Sequence, residues 1–185
     1  MKNIFIVSSL LFIVCTFYSC SSNKVDETDD GKQALIAQID SIQKKMFDKK
    51  TMEMDKNLAF KGITAYHDFV KKFPDDSIHS AEYLFRMADL CKGVGDYGKA
   101  INTFNQICKT YPKYKKIPEC IFLQGYYYQE FFKDTNSAKT FYNELISKYP
   151  AHPFSDDAKA MMKNFGKTDE QLIKEFEEKN AVKKK

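Results

Sequence analysis

Aromatic-proline pairs recur at a constant interval in this 185-residue chain: Phe73-Pro74, Tyr111-Pro112 and Tyr149-Pro150 stand 38 residues apart. Three further columns keep that interval. They are Gly62, Ala100 and Ala138, then Tyr66, Phe104 and Tyr142, then Phe69, Ile107 and Leu145. A fixed period of this size marks a stack of repeated supersecondary units, each of which buries its apolar face only against its neighbours. It constrains the architecture far more tightly than it constrains an activity.

Within each unit the small residue, the aromatic four positions later and the apolar residue three beyond it fall on one helix face, as a 3.6-residue turn requires. The small residue admits a neighbouring helix. Proline ends the unit, because it cannot continue a helix and it drives the residue before it out of helical geometry. Upstream, Ala81 to Lys92 carries Leu84, Met87, Ala88 and Cys91 at helical spacing, and Gly93-Val94-Gly95 breaks that stretch before Asp96, a favourable N-cap, begins the next. The unit is therefore helix, turn, helix.

This arrangement resembles the tetratricopeptide repeat. Pro112, Phe104 and Ala100 match its proline, aromatic and small columns, and Leu84, Met87-Ala88 and Cys91 stand in its first-helix columns. In the following unit Ile121, Gly125 and Tyr128 take those places, with one residue inserted before Asp134. The extra length over a 34-residue repeat sits after each proline, in PDDSIHSA and PKYKKIPE, and predicts longer turns between units. Such turns are similar to those of repeat-bearing envelope lipoproteins, including the types that serve outer-membrane protein assembly and the Tol-Pal system. The resemblance spans about Asp55 to Pro150 and implies an all-α, right-handed solenoid of antiparallel helix pairs, with about three units plus capping helices.

The N-terminal end reads as an address. Met1-Lys2-Asn3 is a short positive head, and Ile4 to Val14 is almost wholly apolar, about the length of a signal-peptide core and short of the roughly 20 residues a spanning helix needs. Ser19-Cys20-Ser21 resembles a lipobox, which implies a signal peptide over 1–19 and a diacylglyceryl group on Cys20; an ordinary secreted protein is the alternative. Acyl chains contribute about 0.8 kcal/mol per buried methylene, so two or three would hold a soluble domain at a bilayer. Residues 20–31 are polar and acidic and read as a flexible tether. The acidic run is either a plain solvated linker or, by resemblance, an export signal of surface-displayed lipoproteins.

From Lys32 to Phe47, Leu35, Ile36, Ile39, Ile42 and Met46 form one apolar stripe, which either docks on the first repeat or pairs two copies; docking is favoured because only about two heptads are present. A second helix over about Asp55 to Phe73 completes a degenerate first unit, and the repeat domain extends over 32–167. Beyond Pro150, Ser155 or Asp156 is expected to start a helix through Ala158, Met161, Met162 and Phe165, stopped by Gly166. Thr168 to Gln171 reads as a capping box opening a last helix with Leu172, Ile173 and Phe176 on one side. Residues 168–185 are thus expected to be a polar-backed cap ending in a frayed Lys183-Lys184-Lys185.

The formal charge of +4 becomes +3 when Lys2 leaves with the signal, and charges of both signs are interspersed, so no basic stripe suited to nucleic acid is present. His67, His79 and His152 lack partners at metal-ligand spacing and read as surface and turn residues, and no hydrolase motif is found. No enzyme, metal or cofactor is expected. Cys91 falls in a core column, while Cys108 and Cys120 flank the Pro112–Pro118 turn closely enough for a bridge, which is one of two states open to them.

In the repeat family the first helix of each unit lines the concave face. Carried over, that implies Glu82, Phe85, Arg86 and Asp89, then Glu119, Phe122, Leu123 and Tyr126, with Phe85, Phe122 and Tyr126 forming an aromatic strip beside Arg86. Packing between units is the competing reading of Phe122 and Tyr126. The expectation is a membrane-anchored scaffold that binds an envelope protein or peptide segment at the periplasmic side of the outer membrane, with outer-membrane protein assembly as one setting. The alternative is a surface-displayed binding lipoprotein for host protein or glycan.

Overall fold

The computed structural model describes residues 27–47 and 50–182. The targeting segment, Cys20, the first part of the tether and the three terminal lysines lie outside the described residues. Eight helices follow one another among those described: α1 (Glu27–Lys45), α2 (Lys56–Lys72), α3 (Ser77–Gly93), α4 (Tyr97–Thr110), α5 (Ile117–Glu130), α6 (Thr135–Lys148), α7 (Pro153–Lys163) and α8 (Asp169–Val182). No strand occurs there, only an isolated bridge between Phe47 and Met54 that closes the α1–α2 turn. From α1 to α7 each helix packs on the next, and α5 also touches α7, so the described chain is an all-α solenoid.

The three proline-terminated helices end alike. Phe73, Tyr111 and Tyr149 cap α2, α4 and α6 at φ/ψ of −128/57°, −124/59° and −133/55°, each N–H donating at 2.8 Å to the carbonyl of Phe69, Ile107 or Leu145. Their starts match too: Asp55, Asp96 and Asp134 each accept backbone N–H groups of the first turn, which satisfies donors a helix leaves orphaned. Tyr66, Phe104 and Tyr142 and, one turn on, Phe69, Ile107 and Leu145 are buried in the seam between units.

The small column sets how closely helices approach. A methyl at Gly62 would come within 2.9 Å of Met46 Cε and 3.0 Å of Leu90 Cδ1, while Ala100 and Ala138 are fully buried at the equivalent places. In α5, a methyl at Gly125 would lie 2.8 Å from Tyr142 Cε1 and 3.3 Å from the Ala138 carbonyl oxygen. The stripe of α1 docks on the stack, with Ile39 and Met46 buried and Leu35, Ile36 and Ile42 packed against the core. Gln43 Nε2 donates to the Tyr66 hydroxyl at 2.7 Å and fixes that docking.

Three helix starts differ from expectation. Helix α1 takes in residues 27–31 of the anticipated tether, and its start is tied down by Lys32, whose ammonium lies 2.6 Å from Asp76 Oδ2 at the N-cap of α3. Helix α3 begins at Ser77 rather than Ala81, so His79 lies in its first turn. Helix α7 begins at Pro153, whose φ is preset for a first helical position, with His152 as N-cap; Ser155 is instead buried and donates to the Tyr149 carbonyl at 2.6 Å. The capping box holds, with Thr168 N–H donating to Gln171 at 3.0 Å and Gln171 N–H returning to Thr168 Oγ1 at 3.3 Å. Yet α8 does not cover the stack: Ile173 is 58% and Phe176 68% exposed. Its few apolar residues offset too little of the entropy of ordering. Helix α7 closes the seam instead, through buried Ala158 and through Phe165, which follows it and stacks 6.1 Å from Tyr142.

Two measurements check this packing. Gly125→Ala should lower stability by about 1–2 kcal/mol in denaturant melts, because crowding against Tyr142 outweighs the helix-propensity gain of about 1 kcal/mol. The Asp76 carboxyl is half-buried, which alone raises its pKa, but its hydrogen bonds to Lys32 and His79 bring it down from 3.8 to about 2. A carboxyl depressed in the folded state stabilises above its unfolded pKa and ceases to as pH falls through the folded one. Asp76→Asn should therefore cost about 1–2 kcal/mol at pH 6, a gap that closes as the pH approaches 2.

Candidate interaction groove

Helix α3 carries four of the expected residues along its inner side, and Glu82 organises them. Its carboxylate accepts from Tyr114 Oη at 2.6 Å and Arg86 Nε at 3.0 Å, with Lys116 Nζ at 3.3 Å. Burial alone would raise the Glu82 pKa, but those donors and the Lys116 charge hold it below the usual carboxylate range. Tyr114 is pushed up correspondingly, by its own burial and then by the carboxylate it donates to. The α4–α5 turn is thereby fastened across the face of α3. A second tie comes from the Tyr111 hydroxyl, which donates to the Pro74 carbonyl at 2.9 Å.

Between α3 and that turn lies a hollow of about 820 Å³, walled by Ile78, Glu82 and Arg86 on one side and by Tyr111, Lys113 and Tyr114 on the other. Arg86 also borders a smaller hollow of about 380 Å³, where Met46, Phe47 and Tyr66 meet Asp89 and Leu90. Arg86 is the one residue that lines both. Desolvation in the concavity holds the Asp89 carboxyl above its ordinary range, opposed by Lys92 and reinforced by the charge of Glu119. Arg86 and Asp89 are thus exposed charged groups on the inner side of α3, beside the apolar residues of the smaller hollow and the charged turn that walls the larger one, a mixed composition suited to a recognition surface.

The aromatic strip is not assembled as anticipated. Phe85 is only 5% exposed, set edge-on to Phe104 at 5.5 Å and covered by Lys116 Nζ at 4.2 Å from its ring centre. Phe122 is 8% exposed and stacks on Phe154 at 5.0 Å and beside Tyr142 at 5.7 Å, which makes it packing between units. Tyr126 is half-buried between Phe122 and Phe131, and Glu119 and Leu123 are half-buried on the same helix. One helix-spacing argument cannot separate an inner face open to solvent from one already covered by the next unit.

What sequence reasoning missed is the wall supplied by the turn. Tyr114 and Lys116 belong to the lengthened stretch after Pro112, whose basic-aromatic composition was the available signal. Cys108 and Cys120 are free thiols within hydrogen-bonding reach of each other, and Cys91 is buried and free, its thiol pushed up to about 11 by burial. Among the described residues, no three metal-ligating side chains gather into a cluster and no helix is long and apolar enough to cross a membrane.

Comparison with known families agrees with the geometry: the model described as tetratricopeptide repeat matches twice, over residues 81–114 and 119–152, that is α3 with α4 and α5 with α6. No curated protein matches the chain. Replacing Tyr114 by Phe should release the turn from Glu82. The expected readouts are a stability loss of about 1–2 kcal/mol and a rise of the Glu82 carboxyl toward its ordinary value, followed by NMR titration. Because that carboxyl is depressed in the folded protein, the stability difference should be full at neutral pH and shrink as acid protonates it.

Proposed function

We propose that this chain, which carries two tetratricopeptide repeats, is a membrane-anchored scaffold that presents its inner groove to another protein of the cell envelope. The single observation behind this reading is the pair of hollows that share Arg86 on the inner side of α3, one against the α4–α5 turn and the other against the end of α1. Tetratricopeptide repeats bind protein partners, and a recess that combines apolar side chains with charged ones suits a peptide segment. Nothing in the reading calls for bond-making chemistry.

The anchor is argued from sequence: Ser19-Cys20 follows an apolar segment too short to span a bilayer, and acylation of Cys20 would leave the solenoid tethered through the polar residues before α1. We assign the lipid-held domain to the periplasmic side of the outer membrane, where assembly of outer-membrane proteins is one process that uses such scaffolds. Helix α1 begins at Glu27, inside the stretch expected to be the tether.

Fatty-acid labelling and fractionation test the anchor, and crosslinking in intact envelopes tests the scaffold. Cys20→Ala should abolish labelling and move the chain to the soluble fraction with its helical content unchanged, and Arg86→Glu should lose the crosslinked partner while remaining folded. Retention of Cys20→Ala in the membrane fraction overturns the anchor; capture that is indifferent to Arg86→Glu overturns the groove.

A further inference from the structure

The larger hollow has a charge pattern that specifies its occupant. Its cationic walls are Arg86, Lys113, Lys115 and Lys116, and its one carboxylate, Glu82, is already engaged by Tyr114, Arg86 and Lys116. Lys116 is further committed over the Phe85 ring. Lys113 and Lys115 are exposed, and no described carboxylate pairs with either of them. Two uncompensated cations therefore stand on the rim of a recess whose opposite wall offers Ile78, an aliphatic side chain 78% exposed. Isolated surface lysines are unremarkable, but here the turn that bears them is held rigid across α3 by Tyr114 and Tyr111. Their positions are fixed before anything binds, which reduces the ordering cost of association.

We propose that this hollow takes an acidic, extended segment of the partner protein, its carboxylates meeting Lys113 and Lys115 and an apolar side chain lying on Ile78. The assignment rests on the scaffold reading and names the chemistry of the partner. A recessed site between a helix and a turn admits a chain of side chains more readily than the flat face of a bilayer, which distinguishes it from an anionic-lipid surface. Nor does it call for a chain terminus, since the side-chain carboxylates of an acidic segment supply the charge that Lys113 and Lys115 lack.

The test uses the detergent-solubilised full chain and fluorescent twelve-residue peptides: one alternating Asp and Glu with Leu and Phe, one with those acids replaced by Asn and Gln, and one with them replaced by Lys. The acidic peptide should bind at least tenfold tighter than either of the others and weaken steeply between 50 and 300 mM salt, since rim charges are screened. Lys113→Glu with Lys115→Glu should lower its affinity tenfold or more, whereas Lys159→Glu with Lys163→Glu on α7, the same change of net charge elsewhere, should leave it within twofold. Ile78→Ser, exposed and harmless to the fold, should weaken binding several-fold without altering the salt dependence. Equal affinity for the three peptides overturns the proposal, as does indifference to the Lys113/Lys115 reversal. Preferential binding to phosphatidylglycerol vesicles that is lost on the same reversal would overturn it in favour of a lipid surface. If the unaltered chain captures no envelope protein, the scaffold reading fails; if the charge-reversed chain captures the same partner undiminished, only the acidic-segment assignment does.

Discussion

Each proline after α2, α4 and α6 denies helical geometry to the aromatic residue before it, and the resulting cap is the constraint on which the stack depends. Phe73, Tyr111 and Tyr149 adopt nearly one conformation, and each closes its helix with the same N–H to carbonyl bond. Identical exits send the chain into each next unit in the same direction. Because successive units also present the same buried aromatic and aliphatic columns, one seam geometry serves three times. Few long-range contacts are needed to define such a molecule, since each unit is specified by the one before it.

The caps leave the chain free to vary between units, and the three turns differ. After Phe73, Ser80 donates to its carbonyl at 2.7 Å, and after Tyr149, Ser155 does the same at 2.6 Å. In all three turns the N–H three residues on also donates to that carbonyl, from Asp76, Tyr114 and His152, but after Tyr111 no serine hydroxyl joins it, and the turn instead brings its Tyr114 and Lys116 side chains onto Glu82. The central turn thus becomes a wall of the groove rather than a spacer. A similar trade appears before Asp134, where Lys133 adopts a φ of 55°, the place that Gly95 fills at φ 90° before Asp96. For a residue with a Cβ this costs about 1 kcal/mol, which the rigid helix pair on either side absorbs.

Most of the solenoid could be read from residues whose role is repeated, because periodicity averages out local ambiguity. Gly62, Ala100 and Ala138 and the three aromatic-proline pairs stand where their columns imply, and Asp96 caps α4 as its place before the repeat implies. What the spacing left open falls where a residue acts once, and Phe122 takes the packing between units that was one of its two readings. Phe85 and Phe122 share helical spacing with open inner-face positions, but a ring only becomes core when another unit covers it, and that depends on turns with no periodic counterpart. Helix α8 shows the converse: its capping box and apolar positions define a helix correctly, yet helix formation does not entail docking. Of the inner-face charges, Arg86 and Asp89 are exposed, while Glu82 is bound into the turn.

This division has an energetic logic. Core columns are close-packed, so a methyl added at Gly62 or Gly125 meets neighbours at 2.8–3.0 Å and must displace them. Rim residues such as Ile78, Lys113 and Lys115 touch little, and replacing them alters stability by about 0.5 kcal/mol or less. Between the two lies the Glu82 cluster, buried enough that its hydrogen bonds matter and exposed enough to border the recess. Such an intermediate layer transmits one scale to the other: the packed seam positions α3, α3 positions Glu82, and Glu82 holds the turn whose free lysines face outward. Specificity can then change through the outermost layer while the seam that orients it stays the same, which is the property a repeat scaffold requires if one architecture is to serve different partners.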